Sequence, residues 1–242
     1  MENQRSTNIE KIDYATVVGS NTLLRNVFSW MTAALVITTI ASMLFSFVPS
    51  LANLLYPETE IGYQMTTLAW VVMFAPLGFV LLMSFGFHKL SYPVLIALFL
   101  AYAAVNGISL SFIFFVYKLG SIFTVFLSSV ALFAVMAIAG YTTKTDLTKL
   151  GSILIIGLIG IVIASLINVF MKSDTMGFLC SILGVVIFTG LTAYDVQKIK
   201  NMAAEDDGSV TFRKISVMGA LTLYLDFINI FLLLLRLFGG RK

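Results

Sequence analysis

Seven apolar stretches run along the chain, 26–48, 66–87, 92–116, 121–141, 150–171, 176–199 and 215–238, separated by short polar connections. At ~1.5 Å of rise per residue, each is long enough to cross a ~30 Å hydrocarbon core as a helix. The two-residue alternation of an outer-membrane strand is missing, which rules out a barrel. The pattern predicts an all-α membrane protein with seven transmembrane helices. It divides the chain into a cytoplasmic N-terminal segment (1–25), a seven-helix transmembrane domain (26–238) and a short C-terminal tail (239–242). Pro76 is expected to kink the second span, because proline removes a helical hydrogen bond and crowds the preceding turn. Gly160, Ala164 and Asn168 in the fifth span, and Gly107 and Ser111 in the third, recur every four residues. That spacing predicts close helix packing, since lipid supplies no hydrophobic force between helices. Glu205-Asp206-Asp207-Gly208-Ser209 reads as a solvated turn, lacking the twelve-residue ligand pattern of a calcium loop.

Composition makes the solvent explicit. Of 242 residues, 59% are apolar and 11% charged, with a mean hydropathy of +0.99, whereas soluble domains carry about 25% charged residues. One cysteine and one histidine exclude an internal disulfide, a thiolate cluster and a histidine-rich metal site within one chain. A net charge of +3 is too small and scattered for nucleic-acid binding. The polar start and the Pro49-Ser50-Leu51 that follows the first span do not form a cleavable signal, so that span is expected to stay as an anchor.

Basic residues set the expected orientation. Arg5, Lys11, Arg25, Lys89, Lys144, Lys149, Lys198, Lys200, Arg213 and Lys214 fall on the N-terminal side, which is therefore expected to be cytoplasmic. Lys118, Lys172, Arg236, Arg241 and Lys242 fall opposite if all seven segments cross. A re-entrant last segment would return the final three to the cytoplasmic side; its length of about 24 residues favours a full crossing.

Two acids interrupt the apolar spans: Asp195 near the end of the sixth and Asp226 in the middle of the seventh. A carboxylate in hydrocarbon costs at least ~2.5–3.5 kcal/mol, so it seeks a cavity or a partner. Gly219, Thr222, Asp226 and Asn229 are spaced 3, 4 and 3, a polar stripe expected to face the bundle interior and to make the seventh helix central. Thr192 and Phe188 share the face of Asp195. The short connection between these antiparallel spans permits the acids to meet. Two carboxylates within hydrogen-bond reach share a proton and titrate as a unit; ionised, they offer hard oxygens to Ca²⁺. Alternatively each acid only ties helices together, Asp226 through Thr222 or Asn229. His88 and Lys89, at the cytoplasmic end of the second span, are snorkelling residues or counter-ions to the acids.

The runs Leu223-Tyr-Leu-Asp-Phe-Ile-Asn-Ile-Phe-Leu-Leu-Leu-Leu-Arg-Leu-Phe-Gly, Thr192-Ala-Tyr-Asp-Val-Gln-Lys-Ile-Lys and Asn106-Gly-Ile-Ser-Leu-Ser resemble the Bax inhibitor family of transmembrane Bax-inhibitor-motif proteins. The likeness covers nearly the whole chain, and its compact loops look like a bacterial inner-membrane member. The resemblance implies seven helices with the last central and wrapped by the other six. It further implies a pH-sensitive Ca²⁺ leak whose paired acids correspond to Asp195 and Asp226. It also implies a basic latch on the second span, for which this chain offers Lys89 or His88 in place of arginine. Asn106, Thr192, Thr222 and Asn229 are the expected supporting or pore-lining residues.

Two functional classes follow. The first is a pH-sensitive calcium or cation leak channel gated by Asp195 and Asp226, with Ca²⁺ as the transported ion and the same acids able to serve a proton-coupled exchanger. The second is a non-transporting partner that modulates a membrane protease or a stress or cell-death complex. An enzyme is not expected: the chain has no His-Glu-x-x-His and no Gly-x-Ser-x-Gly. No prosthetic group is implied.

Overall fold

The architecture comes from a computed structural model that describes residues 2–60, 62–202 and 209–242, with side chains from residue 22 onward. Helix α1 covers Glu2–Phe47, α2 Pro49–Leu55, α3 Thr67–Gly86, α4 Tyr92–Leu110, α5 Ile113–Val116, α6 Leu119–Thr142, α7 Thr148–Met171, α8 Asp174–Met202 and α9 Val210–Phe238. Seven segments are long and apolar enough to span a membrane: Thr22–Phe47, Thr67–Gly86, Tyr92–Val116, Leu119–Thr142, Thr148–Met171, Asp174–Met202 and Val210–Phe238. Each coincides with one apolar stretch in the sequence. The third is broken at Ser111, whose hydroxyl donates to the Ile108 carbonyl at 2.7 Å and so competes with the helical ladder. Pro76 lies within α3, which remains one helix through it. The connection after α1 holds α2 and a small antiparallel hairpin, β1 Glu58–Thr59 with β2 Gly62–Tyr63.

Helix α9 is the axis of the bundle. It packs on α1, α4, α6 and α8, and its length is the most buried of the seven spans. The expectation of six surrounding helices needs correction. The main contacts of α3 are with α4 and α2, and that of α7 is with α8. Of the α7 residues only Gly151 is buried, so most of the helix's apolar surface is left for lipid.

The helices approach where glycine removes a side chain. Gly140 of α6 lies directly on the backbone of Ala193 in α8, and Gly107 of α4 lies on Thr38 and Ala41 of α1. The packing expected at Gly107 is therefore present. At Gly160 it is not: a Cβ built there meets nothing within 4 Å. The neighbour that α7 does have, α8, is met through Gly151 against Tyr194 and Gly157 against Ile187. Gly160 projects from a different face of the same helix, and Asn168 caps the α7–α8 turn by accepting from the Ser173 amide at 3.0 Å.

The last segment runs the full length of the bundle. Beyond α9, Arg241 pairs with Tyr117 in an isolated antiparallel bridge, and the Lys118 and Lys242 amides donate to Gly240 and Val116 at 2.9 and 3.0 Å. The tail thus sits at the α5–α6 junction, at the opposite end from the α3–α4 connection, and the re-entrant alternative is removed. Arg5, Lys11 and the Glu205–Gly208 part of the acidic turn lie outside the residues whose side chains are described.

Candidate functional site: an intramembrane carboxyl pair

The geometry of the acids follows from the register of α8 against α9. Gly219 stands against Ile199 at one level, and Gly184 against Leu233 at another. Interpolating, the residue of α9 level with Asp195 is Thr222 or Leu223, and Asp226 stands three or four residues beyond, about 5 Å along the axis. Side chains on a helix lean toward its N-terminus. In an antiparallel pair, Asp195 and Asp226 therefore lean toward each other across that offset. The result is a direct side-chain contact between the two carboxyl groups, within hydrogen-bond reach.

Their surroundings differ. Asp226 is 4% exposed, and its Oδ2 is buried with no hydrogen-bond partner among the described residues. Asp195 is half-buried. The positive charge acting on it belongs to Lys198, three residues further along α8, whose ammonium lies 5.9 Å from the Tyr194 ring. Sequence reasoning missed Lys198, although i and i+3 on a helix are neighbours. Buried polar atoms are nearly always paired, so an orphaned carboxyl oxygen in a span is an exception.

The polar stripe on α9 divides. Gly219 and Asp226 are buried, whereas Thr222 and Asn229 are half-buried. Steps of three and four residues swing by about 300° and 400°, so the stripe is wide and α8 covers only one edge of it. Thr222 Oγ1 donates to the Met218 carbonyl at 3.1 Å, and Asn229 Nδ2 to the Leu225 carbonyl at 2.8 Å. Both satisfy their own helix, and no described hydrogen bond joins either to Asp226. Thr192 is fully buried and likewise donates to the Phe188 carbonyl, at 2.8 Å.

His88 and Lys89 are exposed, beyond the end of α3 at Gly86, and no described hydrogen bond or ion pair joins either to the acids. Asp195 lies seven residues inside α8, about 10 Å from its end. The cation that reaches back onto the end of α3 is Lys214 of α9, 3.4 Å from the Phe87 carbonyl and 5.8 Å from its ring.

Asn106 belongs to a separate buried cluster. Its Nδ2 donates to the Tyr224 hydroxyl at 2.8 Å, which lies 2.7 Å from Thr38 Oγ1; Thr38 in turn donates to the Ala103 carbonyl at 2.9 Å. Tyr224 also packs edge-on against Tyr102 and Phe99. Two residues apart on α9, Tyr224 and Asp226 point to opposite sides of the helix. This cluster ties α1 and α4 to α9, and the acid pair ties α8 to it.

At the helix end, Gln197 grips the α6–α7 connection: its Nε2 donates to the Thr145 carbonyl and its Oε1 accepts from the Leu147 amide, both at 2.8 Å. Asp146 in that connection caps α7 by accepting from the Thr148 amide at 2.9 Å. The Thr148 side chain, together with its amide, holds the Asp146 carboxyl below the usual range.

Among the described residues no cluster of three or more His, Cys, Asp or Glu is arranged to hold a metal. Resident Ca²⁺ takes six to eight oxygens. Two carboxyls offer fewer than that set requires.

A family profile described as "Inhibitor of apoptosis-promoting Bax1" matches residues 20–242. The chain is 41% identical over 228 residues to "Inner membrane protein YbhL" of Escherichia coli (strain K12), covering 93% of this chain and 94% of that one. It is 45% identical over 224 residues to an uncharacterized protein of Borreliella burgdorferi (92% and 93% covered). It is 38% identical over 224 residues to "Uncharacterized protein RP147" of Rickettsia prowazekii (93% and 92% covered). Seven long apolar helices with the last one central, together with this match along nearly the full length, make the chain a membrane protein of the Bax inhibitor family.

Proposed function

We propose that this protein is a pH-sensitive Ca²⁺ or cation leak of a bacterial inner membrane, with its N-terminus cytoplasmic, and that Asp195 and Asp226 form its gate. The observation that carries this reading is the carboxyl–carboxyl contact within two spans, with Asp226 Oδ2 left without a hydrogen-bond partner among the described residues. A pair that close holds together through one shared proton, and full ionisation drives its members apart. Because Asp226 is on the axial helix and Asp195 on its neighbour, that repulsion acts on the α8–α9 seam. The ionised oxygens then face a cation instead of each other. Lys198, beside Asp195, takes the counter-ion role that the family resemblance gives to the second span. The inner-membrane setting follows the name of the Escherichia coli relative. The function has no covalent step, and the protein acts as a channel rather than an enzyme.

The test is Ca²⁺ flux into liposomes holding the purified protein at pH 6 and pH 8, alongside Asp195→Asn and Asp226→Asn. Asparagine keeps the shape and supplies an amide donor to the remaining carboxylate, so the pair stays joined without a proton shared between two carboxyls. The wild type is expected to conduct differently at the two pH values, and the variants to lose that difference. Flux and pH response unchanged in folded variants would refute the gate. Flux no greater than in empty liposomes would favour a partner-binding role.

A further inference from the structure

On the side of α9 facing away from the acid pair, α1 and α6 splay apart toward the C-terminal end of the bundle. They leave a groove of about 320 Å³. Its floor is Ile228 and Phe231 of α9, and α5 closes its end. Thr39 and Met43 of α1 face Leu119 and Phe123 of α6 across the opening. Met43, Leu119 and Phe123 are 45%, 58% and 63% exposed, so the groove is open sideways at the depth of the membrane. Its hydroxyls do not invite a polar ligand. Thr39 donates to the Leu35 carbonyl, Ser42 to the Thr39 carbonyl and Thr38 to the Ala103 carbonyl, at 2.8, 2.9 and 2.9 Å. What remains is an apolar slot opening into hydrocarbon.

The end of the slot is cationic. Lys118, exposed, directly precedes Leu119. Lys242 donates through Nζ to the carbonyl of Phe114, a lining residue, at 2.7 Å. Arg241, exposed, is held against Tyr117 by the tail's bridge. The acids of this end stand apart: Glu58 and Glu60 are on the hairpin, whose Tyr63 packs on Phe115, while Ile113 and Phe114 face the groove, and Asp174 opens α8, which contributes no residue to the groove. Juxtamembrane cations attract anionic headgroups, and apolar slots at the same level take acyl chains.

We propose that this groove is a binding site for an anionic glycerophospholipid, one acyl chain lying between α1 and α6 and the phosphate meeting Lys118, Arg241 and Lys242. The lipid fills the space between α1 and α6, whose described residues are not in extensive contact. The pinned tail thereby gains a role, since it fixes two of the three cations over the slot. The site rests on charge and shape and is independent of the acid pair.

Native mass spectrometry of the protein released from mixed phosphatidylglycerol and phosphatidylcholine bilayers tests this. The wild type is expected to retain one phosphatidylglycerol per chain with at least about tenfold preference. Lys118→Gln/Arg241→Gln/Lys242→Gln should abolish the preference, and Thr39→Trp, filling the slot from an exposed position, should lower retention of both lipids. Equal retention of the two lipids by the wild type overturns the proposal. So does unaltered retention in Thr39→Trp, or a wild-type dimer that Thr39→Trp makes monomeric, which would give the groove to a second copy. A second measurement holds if those variants misfold. With Trp30→Phe/Trp70→Phe as background, a Phe123→Trp reporter should be quenched more by brominated phosphatidylglycerol than by brominated phosphatidylcholine, and equal quenching would refute the site.

Discussion

Replacing Gly140 by alanine should destabilise the bundle, while the same replacement at Gly160 should stabilise it. At Gly140 the added Cβ lies 2.8 Å from both the Cα and the carbonyl carbon of Ala193, and closer still to its oxygen. Ordinary contact begins near 3.4 Å, so α6 and α8 must separate by at least about 0.6 Å. The obstacle is backbone, and no rotamer relieves it. Overpacking of this kind costs about 1–3 kcal/mol, against about 0.5–1 kcal/mol gained by replacing glycine within a helix. The net expectation is a loss of about 1–2 kcal/mol. At Gly160 a Cβ meets nothing within 4 Å, so the helix gain stands alone at about 0.5–1 kcal/mol. Reversible unfolding in mixed micelles reads both variants on one scale. Asp195 is two residues beyond Ala193, so Gly140→Ala should also disturb the pH dependence of flux, while Gly160→Ala leaves it intact. Shifts of the same sign and size would show that α6 and α8 do not meet as described.

Tyr224→Phe removes the hydroxyl that accepts from Asn106 and touches Thr38; leaving a buried amide unpaired should cost about 1–3 kcal/mol. A double-mutant cycle with Asn106→Ala should recover most of that as coupling, and additive losses would contradict the network. Gln197→Ala releases both ends of the Thr145–Leu147 clamp, and faster amide exchange confined to that connection is the expected result. Asp146 is ionised to lower pH in the folded chain than free. Its cap therefore contributes above the unfolded value near 3.9 and is lost as pH falls through the folded one. Between pH 5.5 and 3, the Thr148 amide should lose protection in the wild type, whereas Asp146→Asn should show no such acid-dependent step.

The acids were legible because charge inside an apolar run has a known cost, and seven spans were legible from length alone. Which groups the acids meet was not, since that depends on register. Lys89 and Lys198 look alike in sequence. Only the helix ends place one beyond α3 and the other a turn from Asp195. Gly140 and Gly160 are equally small residues in equally apolar helices, but one faces α8 and the other faces outward. The spacing of small residues within a span records that a face exists, not what stands opposite. The partner is chosen by how neighbouring helices tilt and slide, and here Leu233 lies on Gly184 and Ile199 on Gly219 along the α8–α9 seam. The family motif around Asp226 names the acid, but only the packing of α8 on α9, marked by Leu233 over Gly184 and Ile199 over Gly219, shows the roughly one-turn offset across which two leaning carboxyls meet.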